Sequence, residues 1–453
     1  MLKRYSRVGR SRPRVLLVVA VVIVVLAGVV VGAVSSTGPF GFLGSGRTAP
    51  ASAATPPVVE LAPVAAVNSY RAQITLRGKA TGATTVTVAG TSVKPGADGQ
   101  FEITLPRVPL GATVVATNRA GETTTPIAIA VHPPATRAVH VTADAWAYEP
   151  MRDDVLTMAR EGRINTVQLD IKDEDGVVGY DSQVPLARQS GASAAIYSAP
   201  EALKTLHDMG IRVVGRIVAF RDRTLAEWAW RNGHPDWVVQ NPSGAPYSSG
   251  YGAIAFTNFA SADIRRYNID LATEAAQLGF DDIMYDYIRR PDGPLSGMVF
   301  PGLTQSPADA VVGFLHDSRG PVRAAGAFQG AAVFGIAATR PDEIAQDIPR
   351  MAGELDYVAP MLYPSHWNAG EYDVADPNAQ PYDIIFRALA DFHAQVDPSG
   401  AAIMPWLQDF TLGFPYGDTE VRAQIQAAAA QHIDSFFLWN PAVSYHEGAL
   451  DPH

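Results

Sequence analysis

From about residue 137 onward, carboxylates recur at the ends of β-like runs, with tryptophan and tyrosine close by. Asp170 and Lys172 end the run INTVQLDIK, Asp286 ends DDIMYDY, and Asp409 follows AAIMPWLQ; Asp173, Glu174 and Asp222 occupy adjoining loops. Carboxylates can serve as general acid, general base or nucleophile, and Trp and Tyr faces stack on the apolar faces of sugar rings. Lys172, Arg216 and Arg289 add cations that can bind an acidic sugar or hold a carboxylate ionised, and that can equally fill the interior as ion pairs. The chain has no cysteine, which excludes disulfides, thiolate metal sites and a cysteine nucleophile. His207, His234 and His316 are scattered at no metal-ligand spacing, so neither a catalytic metal nor another cofactor is expected. A nucleophile-elbow serine motif is also missing from the sequence.

These residues need a scaffold that brings strand ends together. Eight β-like runs alternate with helix-like stretches: 138–143, 164–172, 211–220, 281–287, 331–338, 355–363, 401–408 and 433–440. Between them lie segments such as SAPEALKTLHDMG and ADIRRYNIDLATEAAQLGF, each ending in a glycine or shortly before a strand, where helices stop. Alternation of this kind makes a parallel sheet covered by helices. The expected fold over 137–453 is therefore an α/β (β/α)8 barrel, a TIM barrel. An open doubly wound sheet is the second choice, since no glycine-rich dinucleotide fingerprint follows any strand.

In such a barrel the apolar members of each strand face the helices and the alternate members face inward. Val167, Leu169 and Ile171 then face out, which turns Gln168, Asp170 and Lys172 inward. The same parity directs Arg216, Met284, Asp286, Met404, Trp406 and Gln408 to the interior. Met361, Tyr363 and Trp439 are expected at the same end by analogy. The polar members lie toward the C-terminal ends of their strands, the end where barrels of this type carry their chemistry.

The first part of the chain reads differently. Residues 15–34, VLLVVAVVIVVLAGVVVGAV, carry no charge and no proline, and a helix of this length rises about 30 Å, enough to cross a bilayer. Lys3, Arg4, Arg7, Arg10, Arg12 and Arg14 precede it. Residues 1–14 are thus expected to be a cytoplasmic basic segment, 15–34 a transmembrane signal-anchor, and the rest to lie outside the cell. Cleavage near Ala51-Ser52-Ala53, giving a secreted protein, is the alternative. Without those six bases, 29 Lys+Arg face 45 Asp+Glu, a balance that argues against nucleic acid as a partner. Residues 35–57 read as a flexible linker. Short Val/Thr/Ile runs over 58–132, broken by turn residues, read as an all-β immunoglobulin-like sandwich. With no aromatic cluster to stack on sugar, this domain is read as a spacer, with a carbohydrate- or wall-binding module as the alternative.

FDDIMYDYIRRP (280–291) resembles the signature of a family of glycoside-hydrolase-type barrels catalogued as a domain of unknown function. The likeness extends over NTVQLDIKDEDGVVGYDSQVP, VVGRIVAFRD, YVAPMLYPSHW, PWLQDF and FFLWNPAVSY, in the same order. Strand four also looks like the chitinase-type motif, with Asp281 and Asp286 at aspartate positions. Met284 and Ile288, however, stand where another aspartate and the proton-donating glutamate belong. The resemblance implies a carbohydrate cleft with Met361, Tyr363 and Trp439 in its sugar floor, without the chitinase acid.

The expected activity is hydrolysis of glycosidic bonds in cell-envelope or extracellular polysaccharide. Asp286, Asp170 and Asp409 are the candidate catalytic carboxylates. Lys172, Arg216, Arg289, Tyr363, His366, Trp406, Gln408 and Trp439 are the candidate substrate-binding residues. A catalytically inactive barrel that binds glycan or scaffolds an envelope assembly is the competing expectation, with a glycan lyase or deacetylase behind it.

Overall fold

The computed structural model describes residues 55–452. The expected cytoplasmic segment and signal-anchor, and nearly all of the linker, lie outside these residues. Among the described residues no helix is long and apolar enough to cross a membrane.

Eight parallel strands, the seventh in two pieces, close into a barrel. They are Arg137–Val141, Thr166–Lys172, Arg212–Val218, Asp282–Asp286, Phe328–Phe334, Tyr357–Met361, Ala402–Ile403 with Trp406–Gln408, and Phe436–Trp439. Each pairs with its sequence neighbours, the eighth pairs with the first, and the fifth with the sixth closes the ring. Helices cover the outside and are bounded by local chemistry. Ser261 caps the helix Ala262–Leu278 through Ile264 N, and Gly279, at φ 124°, ends it. Ser306 and Asp309 form a reciprocal capping box at the start of Pro307–Ala324.

Parity separates two apolar layers. Val167, Leu169, Val213, Ile217, Ile283, Tyr285 and Leu407 are buried between sheet and helices. Inside the barrel, Val214, Met284, Ala332, Tyr357, Ala359, Met404 and Phe437 fill the lower and middle levels. Tyr357 crosses the interior so closely that a Cβ on Gly330 would meet its ring at 2.1 Å, which explains a glycine within a strand. The fifth strand lies earlier than the apolar run 331–338 indicates. Its pairing with strand six ends at Phe334↔Met361, and Gly335–Ala338 turn as a 3-10 segment. Only a glycine fits at the start of this turn, since Trp367 and the Met361 carbonyl occupy the place of a side chain at Gly335.

Residues 58–126 form two antiparallel sheets. One contains Val58–Leu61, Ile74–Thr81 and Gln100–Leu105; the other contains Thr91–Val93, Thr85–Val88, Thr113–Asn118 and Gly121–Pro126. Strict alternation buries Ile74, Leu76, Val86, Val88, Phe101, Ile103, Val114 and Ala116 in one cluster. This part packs on the barrel at the N-terminal ends of its strands. Tyr70 donates to Asp356 at 2.8 Å and its ring meets Phe328, while Arg71 donates to the Ala276 and Phe280 carbonyls.

Candidate active site

At the opposite, C-terminal end of the strands lies a cavity of about 410 Å³. Glu174, Arg216 and Asp286 form its polar floor, and Met361, Tyr363, Trp406, Trp439, Tyr251, Tyr287, Phe334 and Trp367 are among its walls. Its volume falls in the range of small-molecule sites.

Arg216 organises the floor. Inward on strand three, its guanidinium is 2% exposed and meets three carboxylates. Nε donates to Asp286 Oδ2 at 3.0 Å, with Nη2 in ion-pair contact with the same oxygen at 2.8 Å; Nη1 donates to Asp170 Oδ1 at 3.1 Å, and Nη2 donates to Glu174 Oε1. The rigid fork of an arginine suits such a triple pairing, which a lysine ammonium could not reproduce. Burial acts to raise the Glu174 carboxyl, but the charge and hydrogen bond of Arg216 outweigh it and hold the group at about 2. Asp286 Oδ1 accepts from the Tyr287 amide at 2.6 Å.

Asp170 sits one level below, buried, with Oδ1 also accepting from Gln168 Nε2 at 3.0 Å. His140, stacked on Trp439 with centroids 4.1 Å apart, completes this layer. Burial pushes its imidazole below the usual value, so it stays neutral and the three carboxylates share one cation. Asp170 does not line the cavity and acts on it through Arg216.

Tyr363, Trp406, Trp439, His366, Arg216 and Asp286 therefore come together, whereas five sequence-selected residues, Asp170 and four others, do not join them. Lys172 does not face the interior. The register between strands two and three slips at Arg216/Ile217, pairing Arg216 with Asp170 but Ile217 with Lys172. This bulge breaks the alternation and sends the ammonium out under the helices. There it meets Asp222 at 2.8 Å, Asn268 at 2.9 Å and the Ala219 carbonyl at 3.1 Å.

Arg289 lies behind the wall. Tyr287 takes a positive φ of 49°, so strand parity does not continue past Asp286. The guanidinium packs over Phe334 at 4.4 Å and Tyr287 at 4.9 Å, and bonds to Asp292 and the Tyr251 hydroxyl. Asp409 follows Gln408 on the other face of strand seven. It is buried and accepts from the amide and Nδ1 of His446. Gln408 is buried beneath the 364–366 turn, with Oε1 accepting from Ser365 N at 3.0 Å and Oγ at 2.7 Å. Asp281, at an aspartate position of the chitinase-type pattern, lies at the start of strand four and bonds His207 and the Val213 amide.

Glu174 takes the place that parity assigned elsewhere. In the acidic run Asp173-Glu174-Asp175, Asp173 is spent on the turn, accepting from the Asp175 and Val177 amides at 3.0 and 2.8 Å. Glu174 is left to reach Arg216. The signal available in sequence was its position just past the C-terminal end of strand two, where barrel sites collect their groups.

An eight-stranded barrel with carboxylates and aromatic rings at its C-terminal mouth has the architecture of the glycoside-hydrolase class. The chain belongs to the family described as "Putative glycosyl hydrolase domain", which matches residues 138–445. Comparison with curated proteins finds no match. The glycoside hydrolase domain of PgaB (BpsB) from Bordetella bronchiseptica is 15% identical, covers 68% of this chain and 95% of its own, and has a TM-score of 0.52. A hypothetical protein from Ruminiclostridium thermocellum is 29% identical over 43% of this chain and 96% of its own, with a TM-score of 0.38. The endo-β-1,4-mannanase from Thermotoga petrophila is 12% identical over 67% of each chain, with a TM-score of 0.46. The Bordetella likeness is one of fold.

Proposed function

We propose that this barrel cleaves glycosidic bonds in cell-envelope or extracellular polysaccharide with Asp286 and Glu174 as its working carboxylates. In this reading the chain is held at the cell membrane by its N-terminal apolar segment, with the barrel outside, and the small β domain is an immunoglobulin-like spacer. One observation carries the chemistry: Asp286 and Glu174 both make ion-pair contact with the same Arg216 nitrogen, Nη2, beneath Trp406, Trp439 and Tyr363. With Asp286 Oδ2 at 2.8 Å from that nitrogen and Glu174 Oε1 closer still, the two oxygens lie at most about 5.6 Å apart, twice the longer contact. That is nearer the spacing of retaining pairs, about 5–5.5 Å, than of inverting pairs, about 6.5–9.5 Å. Asp286, the deeper, is assigned attack on the sugar, and Glu174 the proton transfers. Arg216 keeps Glu174 ionised in the free site, the form required of the base in the second step. Acting first as acid requires Glu174 to give up that bond when sugar enters.

The same clamp supports a second reading, a barrel that binds glycan without cleaving it. Ile288 in place of the chitinase-type acid points the same way. Sugar release from envelope polysaccharides by wild type and Asp286→Asn separates the two. The hydrolase reading expects release by wild type and its near-abolition in the variant. Glycan binding with no release by either form overturns it.

A further inference from the structure

His366 stands on the cavity wall, and a chain of buried amides behind it decides which of its nitrogens carries the proton. Gln424, on the helix Asp418–Ala430, clamps the backbone of Gln408 from both sides. The Gln408 amide donates to Gln424 Oε1 at 2.9 Å, and Gln424 Nε2 donates to the Gln408 carbonyl at 2.8 Å. The Gln408 side chain is oriented by its Nε2, which donates to the Phe410 carbonyl at 2.9 Å. Oε1 therefore faces Ser365 and can only accept. The single hydroxyl proton of Ser365 goes to Oε1 at 2.7 Å, so at its other contact, His366 Nδ1 at 3.0 Å, the hydroxyl oxygen must accept. Nδ1 carries the hydrogen and Nε2 keeps a lone pair, the minority form of an imidazole in water. Nε2 has no protein partner among the described residues.

We propose that Ser365 and Gln408 are positioning residues that present His366 Nε2 to the cavity as a hydrogen-bond acceptor, selecting a sugar hydroxyl and turning away carbonyl and carboxylate oxygens. Burial lowers the imidazole below its usual value, which keeps it neutral near pH 7. The ligand class rests on the glycoside-hydrolase reading; the tautomer does not. A second face of the selection is the floor, where Arg216 is already engaged by three carboxylates.

The test uses the full chain in detergent, labelled with 15N-histidine, with the ring nitrogens read by long-range 1H–15N correlation at pH 8. His366 is assigned by the signal lost in His366→Asn. The expected pattern is a protonated Nδ1 and an unprotonated Nε2, kept in Ser365→Thr and lost in Ser365→Ala. A wild-type His366 protonated on Nε2, or unchanged by Ser365→Ala, overturns the proposal. In parallel, p-nitrophenyl hexosides and the p-nitrophenyl glucuronide are offered as substrates. Ser365→Ala is expected to raise KM for cleaved hexosides about tenfold, the worth of one hydrogen bond, with a smaller change in kcat. Glucuronide cleavage as efficient as that of hexosides overturns the selection. Should the tautomer follow expectation while no glycoside is cleaved, the positioning chain stands and the hydrolase reading falls.

Discussion

Replacing Glu174 by glutamine removes a charge whose worth can be worked from its surroundings. Burial drives the carboxyl up, but the Arg216 guanidinium overrides it and brings the group from its ordinary 4.5 to about 2. A carboxyl depressed on folding contributes stability that is fully present above the unfolded value. That stability is lost as pH falls through the folded value. At about 1.36 kcal/mol for each tenfold change in proton affinity, that lowering corresponds to roughly 3 kcal/mol. The side chain is 29% exposed, so screening by water trims this to about 2–3 kcal/mol. Glu174→Gln is expected to cost about that much at pH 7 and nearly as much at pH 5. Below about pH 4.5 the difference should shrink by about 1 kcal/mol per pH unit, vanishing near pH 2. Denaturant unfolding of both proteins at pH 7, 5 and 3.5 measures it. A difference that does not change with pH, or a glutamine variant as stable as wild type at pH 7, refutes the reasoning.

Arg216→Met leaves Asp170 and Asp286 together without their shared cation and is expected to cost about 3–5 kcal/mol at pH 7. Arg216→Lys should recover only part of it, because a point charge cannot meet three carboxylates; denaturant midpoints compare the three proteins. Lys172→Met breaks the buried pair with Asp222 and is expected to destabilise by a similar amount. It should nonetheless leave KM for any cleaved glycoside unchanged in the folded enzyme. A shifted KM would put the ammonium back in the cavity.

Much of the barrel was legible because its outer faces are largely apolar, so alternation within single strands separated Val213 and Ile217 from Arg216, and Ile283 and Tyr285 from Asp286. Alternation holds only where the ladder is regular. At Lys172 one extra residue in the register reversed the facing, and at Tyr287 a left-handed residue ended it before Arg289. Gln408 was chosen for its type and position, and its actual partner, Ser365, lies 43 residues away on a neighbouring turn. Glu174 carries no periodicity at all. Only the hydrogen bonds of Asp173 to the following amides distinguish which acid of three is left to reach Arg216.

The slip in strand two also has an electrostatic consequence. Regular alternation would have set a second cation beside Arg216, and the floor would carry three carboxylates against two positive groups. With Lys172 exported to the helical shell, three negative groups face one. Between low-dielectric walls such an imbalance focuses a negative field outward through the mouth. One added residue in a strand thus decides the balance of charged side chains at the floor of the cavity.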